Sequence, residues 1–471
     1  MNSNNKKLAK NIFLMFLIYF LPKVFSFFLV PIYTKYLTTS EYGISDLIVT
    51  TSSLIAPFIS LATPNAILRF TIENKEDKRP LQISYKVYFR GMLVLLLGLN
   101  AVYFLGQIEI SYLFFTYLLV GTSVLADMSL AYLRGLEKMK ALTICGVGSS
   151  FVGILCNILF IVVFKFGLYG FLLSASVGYI FTILVANISY RKNRVFVGFS
   201  QKDKVFGEEV LKFSVPLVFS GLSWWVISSS DRYFVSWMLG TVANGLYSVA
   251  YKIPTILQAL HCVFSQAWLY TLYDSYKTDE GKQYISKAYD VYVFVICAGC
   301  SFLIGINIFL AHFLFSNDFF EAWRYVPLLL LSVVFTCASD LMSGFLAIYK
   351  KSKISMNIST VAAVTNIVLN GLFIEVLNDA MGAAIATDIT FFVSYVLTVN
   401  VTIKLSGMKI NLRRHLFMFG ILTVQAVILV LTQNYFLCLF GLVLILILNI
   451  ETLMWAKDKW KNLLRPQNKL N

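Results

Sequence analysis

The sequence predicts an all-α integral membrane protein of about 14 transmembrane helices, arranged as two parallel six-helix repeats followed by two C-terminal helices. Three observations predict it. Of the 471 residues, 58% are hydrophobic and only 13% charged, and mean hydropathy is +0.75. Soluble domains carry about a quarter of their residues as charges. The basic residues are confined to alternate connections between apolar stretches. The chain also repeats itself at a fixed offset.

A crossing of ~30 Å of hydrocarbon needs about 20 apolar residues. Windows of that kind fall at 12–37, 44–67, 87–106, 111–133, 142–164, 168–189, 213–239, 246–270, 289–315, 324–348, 355–376, 380–403, 415–433 and 435–455. Residues 1–10 are polar and basic, and the long apolar stretch behind them lacks a small-residue cleavage site, so it reads as a retained first span. The seven cysteines, 145, 156, 262, 297, 300, 337 and 438, all fall in apolar stretches and read as small hydrophobes. That includes the CxxC formed by Cys297 and Cys300, for which redox or metal chemistry is the alternative.

Short cytoplasmic loops are enriched in Lys and Arg. The N-tail, the C-tail and the connections 69–90, 134–140, 191–212, 273–288, 350–353 and 404–414 hold 33 of the 39 basic residues, which places both termini in the cytoplasm. The net charge of +15 is then topological, and no nucleic-acid partner is expected. The basic tail Lys457, Lys459, Trp460, Lys461, Leu463, Leu464 and Arg465 suits the inner leaflet, where anionic membrane lipids attract it. The opposite connections are short, the longest being 38–43 and 316–323, which leaves no room for an external catalytic domain.

Moving 213 residues along carries Asp127, Lys140 and Asn157 onto Asp340, Lys353 and Asn370, within DMSLAYLRGLEKMK and DLMSGFLAIYKKSK. Nearer the start the offset is 202, carrying Leu37 and Gly43 onto Leu239 and Gly245. Spans 1–6 and 7–12 are therefore two copies in the same orientation, an arrangement found in transporters with the substrate path between the halves. The expected divisions are 1–200, 201–405 and 406–471, the last holding two extra helices and the basic tail.

No GxxxxGK[ST] and no GxGxxG after a strand is present, and the three histidines, 261, 312 and 415, show no ligand spacing. No catalytic residue, metal or cofactor is expected, and the chain does not read as an enzyme. Ionisable groups inside spans carry the chemistry, because they are expensive in hydrocarbon. Lys23 lies about 17 Å into span 1, flanked by Pro22 and Pro31. It either lines a pathway or pairs with a structural carboxylate. Arg232, beside Asp231 and a serine-rich stretch, Lys252 and Arg324 form a candidate outward basic cluster for substrate; snorkelling to outer headgroups is the alternative. Asp127, Asp340 and Asp388 are candidates for ion coupling or gating, against a structural pairing with cytoplasmic basic residues. Asn157, Asn366 and Asn370 read as interhelical hydrogen-bond glue.

The stretches KVFSFFLVPIYTKYLTTSEYGISDL and LGTVANGLYSVAYKIP resemble the Wzx-type polysaccharide flippases of the multidrug/oligosaccharidyl-lipid/polysaccharide exporter superfamily, and the resemblance extends over essentially the whole chain. It implies a V-shaped bundle in a bacterial cytoplasmic membrane that moves an undecaprenyl-pyrophosphate-linked oligosaccharide to the outer leaflet by alternating access, for O-antigen, lipopolysaccharide or a related polysaccharide. It also implies cationic cavity residues, a role that Lys23 fits by position, and a proton or sodium coupling ion. A polysaccharide polymerase is the partner protein it suggests. A drug/cation antiporter of the same fold and a membrane glycan polymerase are the competing readings. Drug-exporting relatives tend to place a carboxylate in the first lobe's cavity, where this sequence has Lys23.

Overall fold

The computed structural model describes residues 20–106, 108–190, 201–452 and 454. The N-terminal tail, the start of span 1 and the basic C-terminal tail lie outside the described residues. Those described are helical throughout, with no β-strand among them, because a spanning segment must satisfy every backbone N–H and C=O internally.

In chain order the helices are α1 (20–28), α2 (Val30–Tyr36), α3 (Thr39–Ser60), α4 (Thr63–Glu73), α5 (Arg79–Phe104), α6 (Ile110–Gly135), α7 (Met139–Asn157), α8 (Gly167–Tyr190), α9 (Gln201–Leu239) and α10 (Thr241–Ala250). They continue with α11 (Thr255–Ser275), α12 (Asp279–Gly305), α13 (Asn307–Leu314), α14 (Val326–Ile348), α15 (Ser352–Leu377), α16 (Met381–Ser406), α17 (Leu412–Thr432) and α18 (Tyr435–Leu448). A π-helical turn, Ile158–Val163, extends α7, and a 3-10 turn, Asn317–Arg324, precedes α14. Among the described residues, 11 helices are long and apolar enough to cross a membrane. The other three expected spans are the first, described only from residue 20, the eighth, divided into α10 and α11, and the last, whose α18 has 14 residues.

The repeat is visible in the backbone. α6 and α14 end at Gly135 and Ile348, and α7 and α15 begin at Met139 and Ser352, 213 residues apart in both cases. Non-glycine residues in the left-handed region obey the same offset: Glu137 (φ 55°) matches Lys350 (φ 56°), and Lys165 (φ 56°) matches Asn378 (φ 47°). After α6, Lys138 N–H donates to Leu133 O at 3.0 Å; after α14, Lys351 N–H donates to Leu346 O at 2.7 Å. Both are the six-to-one closure of a Schellman cap, which satisfies a terminal carbonyl and sends the chain back into the bundle.

The first two sequence-predicted spans are each interrupted for a local reason. Pro31 has no N–H to give Phe27, and the helix breaks at Leu29 between α1 and α2. In span 2, a capping box between Thr38 and Glu41 starts α3, with Thr38 N–H to Glu41 Oε2 at 2.8 Å. Pro57 then removes a helical bond, and Leu61 (φ 46°) and Ala62 (φ 52°) turn left-handed before Pro64 restarts the chain as α4.

The chain forms two compact units. One runs to Val249 and includes Ser316–Phe319; the other is Ala250–Phe315 with Phe320 onward. α9 and nearly all of α10 thus associate with the first repeat. One anchor is aromatic: Phe206 and Phe213 of α9 pack on Phe70 of α4, and the Arg69 guanidinium lies 4.5 Å from the Phe213 ring centre. Another is a backbone crossing where a Cβ on Gly43 would meet the Thr241 carbonyl oxygen and one on Gly245 would meet that of Thr39. The two glycines are equivalent in the repeat, and only small residues let two helices approach so closely.

In the second unit α14 and α16 form the centre, and α17 and α18 pack against α12. Gln425 of α17 ties them: its Nε2 donates to Ser301 O and to Cys438 O, both at 2.8 Å, and its Oε1 accepts from Ser301 Oγ at 2.8 Å. All seven cysteines are free thiols; five are buried, and Cys156 and Cys262 are half-buried.

Candidate functional site

The break in span 2 opens space. Between α3, α4, α6, α8 and α9 the first unit holds a cavity of about 510 Å³, within the range of about 300–1,000 Å³ usual for small-molecule sites. One face of α6 supplies Ser123, Asp127, Leu130, Ala131 and Arg134, and the broken segment supplies Pro57, Ser60, Ala62, Pro64 and Asn65. Ser52 and Ser60 donate their protons to carbonyls of their own helix, Ile48 O at 2.7 Å and Ala56 O at 2.9 Å; Ser123 donates to Val120 O at 3.2 Å. Their lone pairs remain to accept, and the Asp127 carboxylate, exposed to the cavity, is an acceptor only. Arg134 and the Asn65 amide supply donors toward the other end of the α6 face. The wall therefore suits a ligand rich in hydroxyl or ammonium donors that carries an anion at one end.

Next to this cavity in sequence, α3, α9 and α10 form a charged cluster. Arg232 Nε lies 2.9 Å from Asp46 Oδ2, and its Nη1 donates to Ser228 O at 3.3 Å. Ser248 Oγ donates to Asp46 Oδ2 at 2.7 Å, Tyr247 OH donates to the buried Asp231 at 2.8 Å, and Asn244 Nδ2 donates to Gly43 O at 2.9 Å. The guanidinium is 15% exposed. In this state the Arg232 guanidinium is paired with Asp46, while its backbone N–H donates to Asp231 Oδ1 at 2.9 Å.

Lys23 is half-buried in α1, with no hydrogen bond or ion pair among the described residues. None joins it to Arg232. In the second unit, Lys252 sits half-buried in the turn between α10 and α11, and Arg324 lies 3.7 Å from Asp379 in the connection between α15 and α16. The Asp388 side chain in α16 keeps a buried Oδ1 without a hydrogen-bond partner among the described residues. Asn366 and Asn370 are joined to each other at 2.9 Å within α15, and Asn157 donates to Gly153 O within α7.

Asp127 and Asp340 occupy equivalent places, each eight residues before the end of its helix. Their surroundings differ. Asp340 Oδ2 lies 2.9 Å from His261 Nε2, and His261 Nδ1 lies 2.6 Å from Tyr292 OH. Asp127 has no such partner among the described residues. Sequence reasoning missed Asp46, His261 and Arg134 as site residues. Asp46 stands in the quoted TSEYGISDL stretch, where its charge in an apolar run is the available signal. Nothing in the spacing pairs His261 with residues 31 and 79 positions away.

Comparison with known proteins follows the same lines. The sequence matches the family described as polysaccharide biosynthesis protein over residues 8–270, more than half of the chain. The chain belongs to the polysaccharide biosynthesis protein family. Its fold is shared with solved transporters. The lipid II flippase MurJ in an inward closed conformation aligns with a TM-score of 0.69 at 16% identity, over 96% of this chain and 100% of that one. An inward-facing multidrug resistance MATE family transporter of the MOP superfamily aligns at 0.61 and 14% identity, over 82% and 94%. A MOP superfamily transporter from Pyrococcus furiosus, with a binding pocket of reverse polarity, aligns at 0.52 and 13%, over 84% and 96%. No curated protein sequence matches. The chain is thus a multi-pass membrane protein with the fold of these transporters.

Proposed function

We propose that the chain is a flippase for an undecaprenyl-pyrophosphate-linked oligosaccharide, moving it from the cytoplasmic to the outer leaflet of a bacterial cytoplasmic membrane by alternating access, driven by an ion gradient. The observation that carries the reading is the first unit's cavity, in a chain of the polysaccharide biosynthesis family. Its serine lone pairs and the Asp127 carboxylate accept from sugar hydroxyls, while Arg134 can take an anion at the end of the same α6 face. A diphosphate cannot cross hydrocarbon alone, whereas its prenyl tail stays in lipid. Lys23, deep in span 1 and without a counter-anion among the described residues, is the group for the moving diphosphate. It binds as a point charge and releases more readily than a bidentate Arg. Product glycan then passes to a polymerase outside, and both termini stay in the cytoplasm.

The test is glycan display in a flippase-null strain, normalised to protein abundance. Lys23→Ala and Lys23→Glu lower display at unchanged abundance, and Lys23→Arg keeps part of it. Wild-type display with Lys23→Glu would remove Lys23 from the mechanism. One observation favours a second reading, a drug/cation antiporter: Asp127 is a carboxylate open to the first unit's cavity. That reading gains if Asp127→Asn abolishes drug resistance in an exporter-deficient strain while Lys23 proves dispensable.

A further inference from the structure

The second unit contains a hydrogen-bonded chain that the cavity does not use. His261 lies on α11 with its side chain 12% exposed. Its Nδ1 meets Tyr292 of α12 at 2.6 Å and its Nε2 meets Asp340 of α14 at 2.9 Å. The Tyr292 ring is buried and stacks on Phe264, one turn beyond His261, with ring centres 4.6 Å apart. The Asp340 side chain is 57% exposed. One imidazole nitrogen therefore faces a dry phenol, and the other faces a carboxylate that opens outward.

The other titratable groups close by are the thiols of Cys337 of α14 and Cys297 of α12 beside Tyr292, Tyr289 on the same α12, and Cys262, adjacent in sequence on α11. Among the described residues, no Lys or Arg forms an ion pair with Asp340. The carboxylate's charge is directed at the imidazole.

We infer that His261 is the proton-binding site of this chain, held in place by Asp340, and that its protonation drives the transport cycle proposed above, on which the coupling claim rests. Both protonation states fit the same heavy atoms. With His261 neutral, Tyr292 donates to Nδ1 and Nε2–H donates to Asp340. With His261 protonated, Nδ1–H donates to the Tyr292 oxygen, whose own proton turns away, while the Nε2–H bond is kept. A proton bound at Nδ1 is thus accommodated by the rotation of the Tyr292 hydroxyl. It also changes the charge of the pair from −1 to zero, and a neutral pair is far less costly to enclose at membrane depth. Sodium has no comparable place at an imidazole, so this site selects the proton.

The chain has only three histidines, which makes a direct measurement possible. Full-length protein labelled with 15N-histidine, in lipid nanodiscs, is titrated from pH 5 to 9 by NMR, and His261→Gln identifies the His261 signals. We expect His261 to convert from imidazole to imidazolium within this range. In Asp340→Asn the midpoint should fall, because the anion facing Nε2 is gone. Tyr292→Phe should keep the titration and change the tautomer signature at neutral pH. A His261 that stays neutral down to pH 5, or a midpoint unmoved in Asp340→Asn, overturns the site.

The coupling claim is read in cells. Glycan display in the flippase-null strain should fall several-fold when nigericin collapses the pH gradient, and His261→Gln should give low display at normal abundance with or without it. Wild-type display with His261→Gln, or wild-type display insensitive to nigericin, overturns the coupling. Should the wild-type chain restore no glycan at all, the flippase reading and the coupling built on it fall together, and the proton site stands or falls by the titration alone.

Discussion

Asp127 and Asp340 share a register in two copies of one unit, yet one faces an open cavity and the other is held by a histidine. The cause is the helix that packs opposite. In the first copy the second span runs 22 residues as α3 before breaking at Leu61 and Ala62, and the break hollows out the space into which Asp127 points. In the second copy the break comes after the 10 residues of α10, in the turn Tyr251–Pro254. α11 then passes unbroken across α14, carrying His261 to Asp340 and Trp268 Nε1 to Leu341 O at 2.8 Å. Moving one interruption along one helix separates a binding cavity from a packed, hydrogen-bonded joint. A duplicated scaffold can divide its labour in this way without changing its helix ends.

The largest effect is expected where the copies still meet as equals. Gly43→Ala or Gly245→Ala places a Cβ against a backbone carbonyl, so each should lower the melting midpoint and the yield of monodisperse protein, by about 1–3 kcal/mol. That loss should prevail over the gain of about 1 kcal/mol in helix propensity. Gly98→Ala and Gly420→Ala, whose Cβ would meet nothing within 4 Å, should gain stability instead. Equal behaviour of all four would mean that the crossing is not close-packed.

The two aspartates give a middle-sized contrast. Asp340→Ala leaves His261 Nε2 without its carboxylate and should destabilise the protein by about 1 kcal/mol, below the usual value for a lost charged hydrogen bond, because the Asp340 side chain is 57% exposed. Asp127→Ala removes no hydrogen bond among the described residues and should shift thermal stability by less than about 0.5 kcal/mol. Similar losses from both would erase the distinction between cavity and joint.

The smallest effect concerns the shared caps. Lys350→Gly relieves a left-handed residue that costs roughly 1–2 kcal/mol and adds unfolded-state freedom worth roughly 0.5–1 kcal/mol, for a net gain of a few tenths. Glu137→Gly should gain less, since it also gives up the exposed 2.9 Å pair with Lys75. A clear loss at Lys350 would show that its cap is held by more than the backbone.

Much of this was legible in the sequence. Hydropathy located the 11 spans seen among the described residues, and the offset of 213 marked equivalent places in the two copies, which share helix ends, caps and left-handed residues that the sequence alone did not announce. The offset of 202 paired Gly43 with Gly245, although not as a contact. What escaped was local and polar. Leu61 and Ala62 turn left-handed without a glycine to announce it, so an apolar window reads through the break. Asp46 lies near the start of a span, and nothing in the sequence ties it to Arg232, 186 positions later. The sequence sets Arg232 beside Asp231 and leaves substrate binding and snorkelling as its two readings; only the fold brings the Asp46 carboxylate to it.

The burial of the cysteines has a practical meaning. With five thiols sealed in the helical packing and two half-covered, the native chain offers a water-borne maleimide little to react with. A single new cysteine at Glu76 or at Asp318, both exposed, would report its side of the membrane against a nearly silent background, with no need to strip the protein of its own sulfur first.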